Sequence, residues 1–265
     1  CEEEFVEIVI NEDCINIMPI FNKQFKCLVE LNNGDNEIKL RYSDVEKVLK
    51  LRYEAVDTVN YDIQPIYIIP RGHDGSYQSM TNDGNTSKDA LTKINFALQL
   101  VASVLGTKFI EAGSEIGKRF VLNDCQVFDS SLSVDHVRSI NQFELYDALA
   151  DELVKTYGKD VAKKRKYVAF ISCTQFLGLT ENEEYNYVNI KRKTLANPAL
   201  GTGFLALLGS GSFYSWPSKV DEVQEAFLNK SIVDTRFLLD DSNYRKTYGG
   251  NFATSLGSLI HEMGH

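Results

Sequence analysis

Near residue 60 the spacing of apolar residues changes, and that change narrows the folds open to this chain more than any other feature. Upstream, "FVEIVI" (Phe5 to Ile10), "KCLVEL" (Lys26 to Leu31), "EIKLRY" (Glu37 to Tyr42) and "VLKLRYEAV" (Val48 to Val56) alternate apolar with polar residues. Strict alternation gives a strand one core face and one wet face. With "NNGDN" (Asn32 to Asn36) as a turn, the pattern predicts an all-β accessory domain over residues 1–60, part of a sandwich. Downstream the strands become continuous apolar runs, as in strands buried on both faces. These are "IYIIP" (Ile66 to Pro70), "RFVLNDCQVF" (Arg119 to Phe128), "YVAFISCTQF" (Tyr167 to Phe176) and one or two strands in "GFLALLGSGSFYSWP" (Gly203 to Pro217). Helical spacing separates them at Ser87 to Gly106, Asn141 to Gly158, Val220 to Asn229 and Gly250 to His265. Strands that alternate with helices predict an α/β or α+β layer domain over residues 61–265.

The chain has 265 residues, enough for a sizeable core without staples. Its net charge of −9 argues against nucleic acid or an anionic membrane surface as partner. The basic run "KDVAKKRKY" (Lys159 to Tyr167) reads as a solvated helix end leading into a strand. No stretch has the apolar length of a membrane span. The five cysteines include no C-x-x-C pair, and Cys27, Cys125 and Cys173 sit in apolar runs as small buried hydrophobes. This leans towards a reducing, cytoplasmic setting. The first residue is Cys1 and not Met, so a signal peptide stays open. The sequons at Asn85 and Asn229 read as chance triplets.

The last residues, "HEMGH", carry the chemistry. His261, Glu262 and His265 form H-E-x-x-H, and residues four apart share a helix face, so both imidazoles can reach one zinc ion. Glu262 lies one step from His261, placed to act as general base towards a water activated by the metal. Phe252, Leu256, Leu259, Ile260 and Met263 give this helix an apolar face. The competing reading is a core helix with two incidental histidines.

"HEMGH" resembles the zincin metallopeptidases, and Gly264 before the second histidine resembles their metzincin branch. The longer stretch from Ile63 to His265 resembles a metallopeptidase family of fungi and other eukaryotes, through "IIPRGHDGSYQ" (Ile68 to Gln78), "LALLGSGSFYSWP" and "HEMGH". The resemblance implies a twisted mixed sheet with two long helices, the second bearing the motif, and a Zn²⁺ cofactor. It also implies a peptide or protein substrate and a third zinc ligand beyond His265. The expectation is that the chain is an internal stretch of a longer protein and is inactive by itself. "FKCLVELNNGDNEIKLRY" resembles a hairpin of immunoglobulin-like accessory domains.

Other candidates are weaker. His73 and Asp74 in "PRGHDG" follow a buried strand, as a solvated turn or a contact near a cleft, and His73 is the substitute third ligand. His136 reads as a surface loop residue. "LGSGS" (Leu208 to Ser212) lacks the ending of a phosphate loop and reads as a hairpin turn. "FLALL" before it reads as the sheet edge that would take an extended substrate. Trp216 reads as core or cleft wall. The acidic run Asp234 to Tyr244 reads as a solvated loop and lacks a calcium-loop spacing. Three functions remain open: a zinc metallopeptidase, a catalytically inactive zincin-fold binding protein, or a zinc amidohydrolase acting on a non-peptide substrate. Substrate preference and oligomeric state are not encoded in any motif.

Overall fold

The period-two residues build the first sheet. The computed structural model describes residues 4–12, 14–54, 62–80, 84–114, 120–159 and 164–265. They divide into two units, Cys1–Asp57 and Thr58–His265. The junction expected near Asn60 lies outside the described residues.

In the first unit, β1 (Phe5–Ile10), β2 (Cys14–Pro19), β3 (Gly34–Tyr42) and β4 (Val45–Tyr53) form an antiparallel sheet in the order β2-β1-β3-β4. Val6, Ile8, Ile10 and Ile38 are its buried core. The sequence predicted Lys26 to Leu31 as a strand, and this is corrected. The segment joins no strand ladder, yet Cys27, Val29 and Leu31 pack on the core while Leu28 faces out. The alternation there reports burial and not pairing, so the expected hairpin is replaced by one between β3 and β4. A second sheet facing the first, as a sandwich requires, is not among the described residues.

The second unit is a mixed α+β layer structure. Its sheet contains β5 (Asp62–Arg71), β6 (Val121–Leu122), β7 (Gln126–Ser133), β8 (Arg165–Ile171), β11 (Ala199–Gly201) and β12 (Leu205–Gly209). The order is β11-β12-β8-β5-β6, with β7 also on β5, and every pairing is parallel except β11 on β12. A short ladder, β9 (Gln175–Phe176) with β10 (Thr194–Leu195), stands apart from it. The helices are α1 (Ser87–Glu111), α2 (Val134–Ser139), α3 (Gln142–Tyr157), α4 (Tyr187–Arg192), α5 (Val223–Leu228) and α6 (Tyr248–Gly264).

Successive residues of β5 serve opposite faces. Ile66 and Ile68 pack with Leu145, Leu149 and Leu153 of α3. Tyr67 packs with Ile94 and Leu98 of α1 and with Phe252 and Leu259 of α6. Both faces are covered, so the strand reads as an unbroken apolar run. Each such fully buried side chain contributes about 1.5–3 kcal/mol. The central strand nevertheless contains Pro65, which has no N–H for a ladder. It sits in the gap between β6 and β7, where the Gln64 amide reaches across to Asp124 O at 2.9 Å. The run from Arg119 to Phe128 therefore forms two strands and not one.

Helix ends also differ from expectation. α1 begins at Ser87 as expected, but its cap is Thr86, which forms a reciprocal capping box with Asp89. It runs through Gly106, which is buried in its interior, to Glu111. By length and apolar content α1 matches a spanning helix, contrary to expectation, but Ala90, Ile94, Leu98 and Val101 account for that as a core-facing stripe.

Candidate metal centre

α6 is pinned along its length before it reaches the motif. Thr247 Oγ1 accepts the Gly250 N–H at 3.1 Å and caps the start. Phe252, Leu256 and Leu259 are buried in the core. Ser255 Oγ accepts from Trp216 Nε1 at 2.7 Å and donates to Asn251 O at 2.9 Å. Trp216, 4% exposed, is thus core packing against the motif helix, with its ring edge-on to Phe170.

At the far end the helical period turns His261 and His265 to solvent and Glu262 inwards, at 8% exposure. The two Nε2 atoms are 3.2 Å apart. Tetrahedral zinc with bonds of about 2.05 Å holds two nitrogens at about 3.3 Å, so the donor set fits this metal without rearrangement. Ligand atoms of His261, Glu262 and His265 all lie within 4.8 Å of one another. Among the described residues no other His, Cys, Asp or Glu group is so placed.

Two neighbours fix the depth of the motif. Lys166, at the start of β8 and 3% exposed, donates from Nζ to Met263 O at 2.8 Å and Glu262 O at 3.2 Å. These are carbonyls that a helix end leaves without intrahelical partners. Burial pulls the Lys166 ammonium below its ordinary pKa, and the Glu262 charge acts the other way. The basic run was expected to be solvated; Lys166 is instead a structural cap, and Arg165 beside it pairs with Asp62. The second neighbour is Gly201 on β11. A Cβ there would lie 2.2 Å from Glu262 O, so strand and helix meet at backbone contact.

The sheet edge is β11 and not the "FLALL" strand, which is β12 and paired on both sides. Gly209 N–H donates to Pro198 O and Thr202 N–H to Leu205 O, at 3.1 and 2.9 Å. By the alternation of an antiparallel ladder, the backbone groups of Ala199 and Gly201 turn to the free edge. "LGSGS" is no hairpin turn either: the chain leaves β12 into a 3-10 turn, Phe213–Ser215, and the hairpin lies upstream between β11 and β12.

His73 is not brought to the motif. Its Nδ1 lies 3.0 Å from Ser172 Oγ, just past the far end of β8. Six residue steps separate Ser172 from Lys166, about 20 Å at about 3.3 Å each. His73 therefore cannot complete a site with His261, and burial lowers its pKa. Asp74 turns to Ser76, whose N–H and O–H donate to it. His136 is exposed as expected, but on α2 and not in a loop. Burial pushes the thiols of Cys125 and Cys173 up to about 12 and about 11, which leaves them unreactive. In the acidic run, Asp234 pairs with Arg236, while Asp240 accepts from Tyr185 O–H and Ser242 N–H.

The family model described as "Putative peptidase family" matches residues 10–265. A Saccharomyces cerevisiae protein named "Putative zinc metalloproteinase" is 33% identical over 61 residues. That match takes in 23% of this chain and 9% of the yeast protein's length. Among solved structures, OgpA from Akkermansia muciniphila is 11% identical at a TM-score of 0.45, over 80% of this chain and 49% of that one. A carbohydrate esterase family 2 enzyme with its carbohydrate binding domain, from Corynascus thermopiles (Myceliophthora fergusii), is 9% identical at a TM-score of 0.29. It covers 99% of this chain and 88% of its own. At those scores neither likeness bears on the fold.

Proposed function

Since the chain belongs to this peptidase family, we propose that it forms the core of a zinc-dependent metallopeptidase that hydrolyses peptide bonds of peptide or protein substrates. The observation that supports this most is the 3.2 Å separation of His261 and His265 Nε2 at the end of a helix anchored in the core. These two imidazoles would hold the zinc. A third protein ligand, as catalytic zinc sites use, is assigned C-terminal to His265, as the metzincin resemblance implies. A mixed sheet packed with the long helices α1, α3 and α6, the last bearing the motif, supports that resemblance.

When bound, zinc supplies a Lewis acid and brings the pKa of water near 7. Glu262 takes the proton of the attacking water and delivers it to the leaving amine. Its inward setting is backed by Gly201 and the Lys166 cap, which meet its backbone carbonyl and so fix where the side chain starts. The outward N–H and C=O groups of Ala199 and Gly201 can pair with an extended peptide and lay it past Glu262.

The test is Glu262→Gln in the whole protein. Zinc content should stay at about one equivalent, with peptidase activity falling roughly 10²-fold or more. A parallel loss of zinc would make Glu262 a ligand and overturn its assignment as base.

A further inference from the structure

Beside the amino end of β11 lies a cavity of about 460 Å³. A smaller one shares Asn197, Pro198, Ala199 and Asp241 with it and reaches Ser255 and Ser258 of α6. Ser258 precedes His261 by three residues, less than one helical turn. The two cavities meet at the amino end of β11, and the smaller one reaches α6 within a turn of the motif.

Part of the larger cavity's wall is apolar, with Leu145, Ile190 and Leu239 each under 9% exposed, and Asn141, Thr194 and Asn197 add polar groups. Its charged groups are Asp241 and Lys191. Among the described residues the Asp241 carboxylate accepts no hydrogen bond and joins no ion pair; only its backbone N–H is used, on Asn251 Oδ1 at 2.9 Å. Burial, and the neighbouring Asp240 charge, push this carboxyl up to about 6. Lys191 does not neutralise it, because its ammonium lies over the Tyr187 ring, 5.7 Å from the centroid. The amino end of α3 also borders the cavity and would ordinarily favour an anion. There, however, Asn141 Oδ1 takes the N–H groups of Phe143 and Glu144, and the Glu144 carboxylate takes that of Asn141. The part-exposed Asp241 carboxylate is thus the group in this cavity open to a cation.

We infer that this cavity is a specificity subsite for a basic side chain, Lys or Arg, of an extended peptide lying along β11. The apolar part of the wall suits the methylene stem and Asp241 meets the charged end. A bare metal ion would leave the walls unused, and an α-ammonium lacks the stem. The inference rests on the peptidase reading for the peptide's path, but not on catalysis.

The experiment uses the whole protein and blocked, fluorescently labelled hexapeptides in which one position is Arg, norleucine or Glu. Binding is read by anisotropy and cleavage by product analysis. Binding of the Arg peptide should be at least tenfold tighter than that of the norleucine peptide at one position. Asp241→Asn should reduce this preference to within about twofold, and Asp241→Glu should retain most of it. Preference for Arg without cleavage would support the subsite and count against the peptidase reading. Cleavage without Arg preference, an unchanged preference in Asp241→Asn, or no binding by any peptide would overturn the subsite.

Discussion

At Lys166 a buried ammonium spends its hydrogen bonds on the last carbonyls of the motif helix. Charged hydrogen bonds contribute about 1.5–3 kcal/mol each, and the desolvation of the ammonium offsets part of that. Lys166→Met should cost roughly 1–3 kcal/mol by denaturant titration. It should also weaken zinc binding several-fold while His261 and His265 stay in place. Unaltered affinity in calorimetry would show that the cap does not position the motif. Nothing in the sequence marks this lysine, because a run of basic residues looks the same whether its members are solvated or turned inwards. The motif was legible for the opposite reason: its spacing is a statement about one helix alone. The Asp241 cavity was not legible, since α3, α4, β11 and the acidic run meet there from distant parts of the chain.

Among the elements, β5 shows where local pattern and tertiary context part company. Its apolar run announced a buried strand, and α3 was legible to within a residue from Asn141 and Gly158. Among the missed elements, β2, α2 and α4 are six residues each and β10 and β11 two and three, so a period is weak or absent in them. The start of β5 is held by Asp62, which accepts from Arg165 Nε at 2.9 Å and Nη2 at 2.7 Å, and from Asn123 at 3.0 Å. The Arg165 guanidinium holds this carboxyl below its ordinary pKa. A depressed carboxyl contributes stability that is complete above its unfolded value, about 3.9, and is lost as pH falls through the folded value. Asp62→Asn should therefore destabilise the protein by about 1–3 kcal/mol at neutral pH. The gap to the wild type should close in acid below about pH 4. A gap that stays constant down to pH 2 would count against the ion pair.

For the molecule as a whole, the second unit has what independent folding needs. Its sheet is covered on both faces, by α1 and α6 on one and α3 on the other. We expect residues 58–265 alone to unfold in one cooperative transition and to give the same protected amides in β5, β8 and β12 on hydrogen exchange. Loss of that protection would mean that residues 1–57 complete its core. The first unit is a smaller matter, four strands around a buried cluster of Val6, Ile8, Ile10 and Ile38, and is expected to be marginal by itself.

The meeting of Gly201 with the Glu262 carbonyl leaves no slack between the sheet margin and the motif. Two parts in such contact share their displacements. A peptide added to β11, as proposed, would stiffen that strand, and the stiffening would pass through a single glycine to the backbone of Glu262. Occupancy of the margin would then damp the motion of the carboxylate, so a longer substrate would gain in turnover as well as in grip.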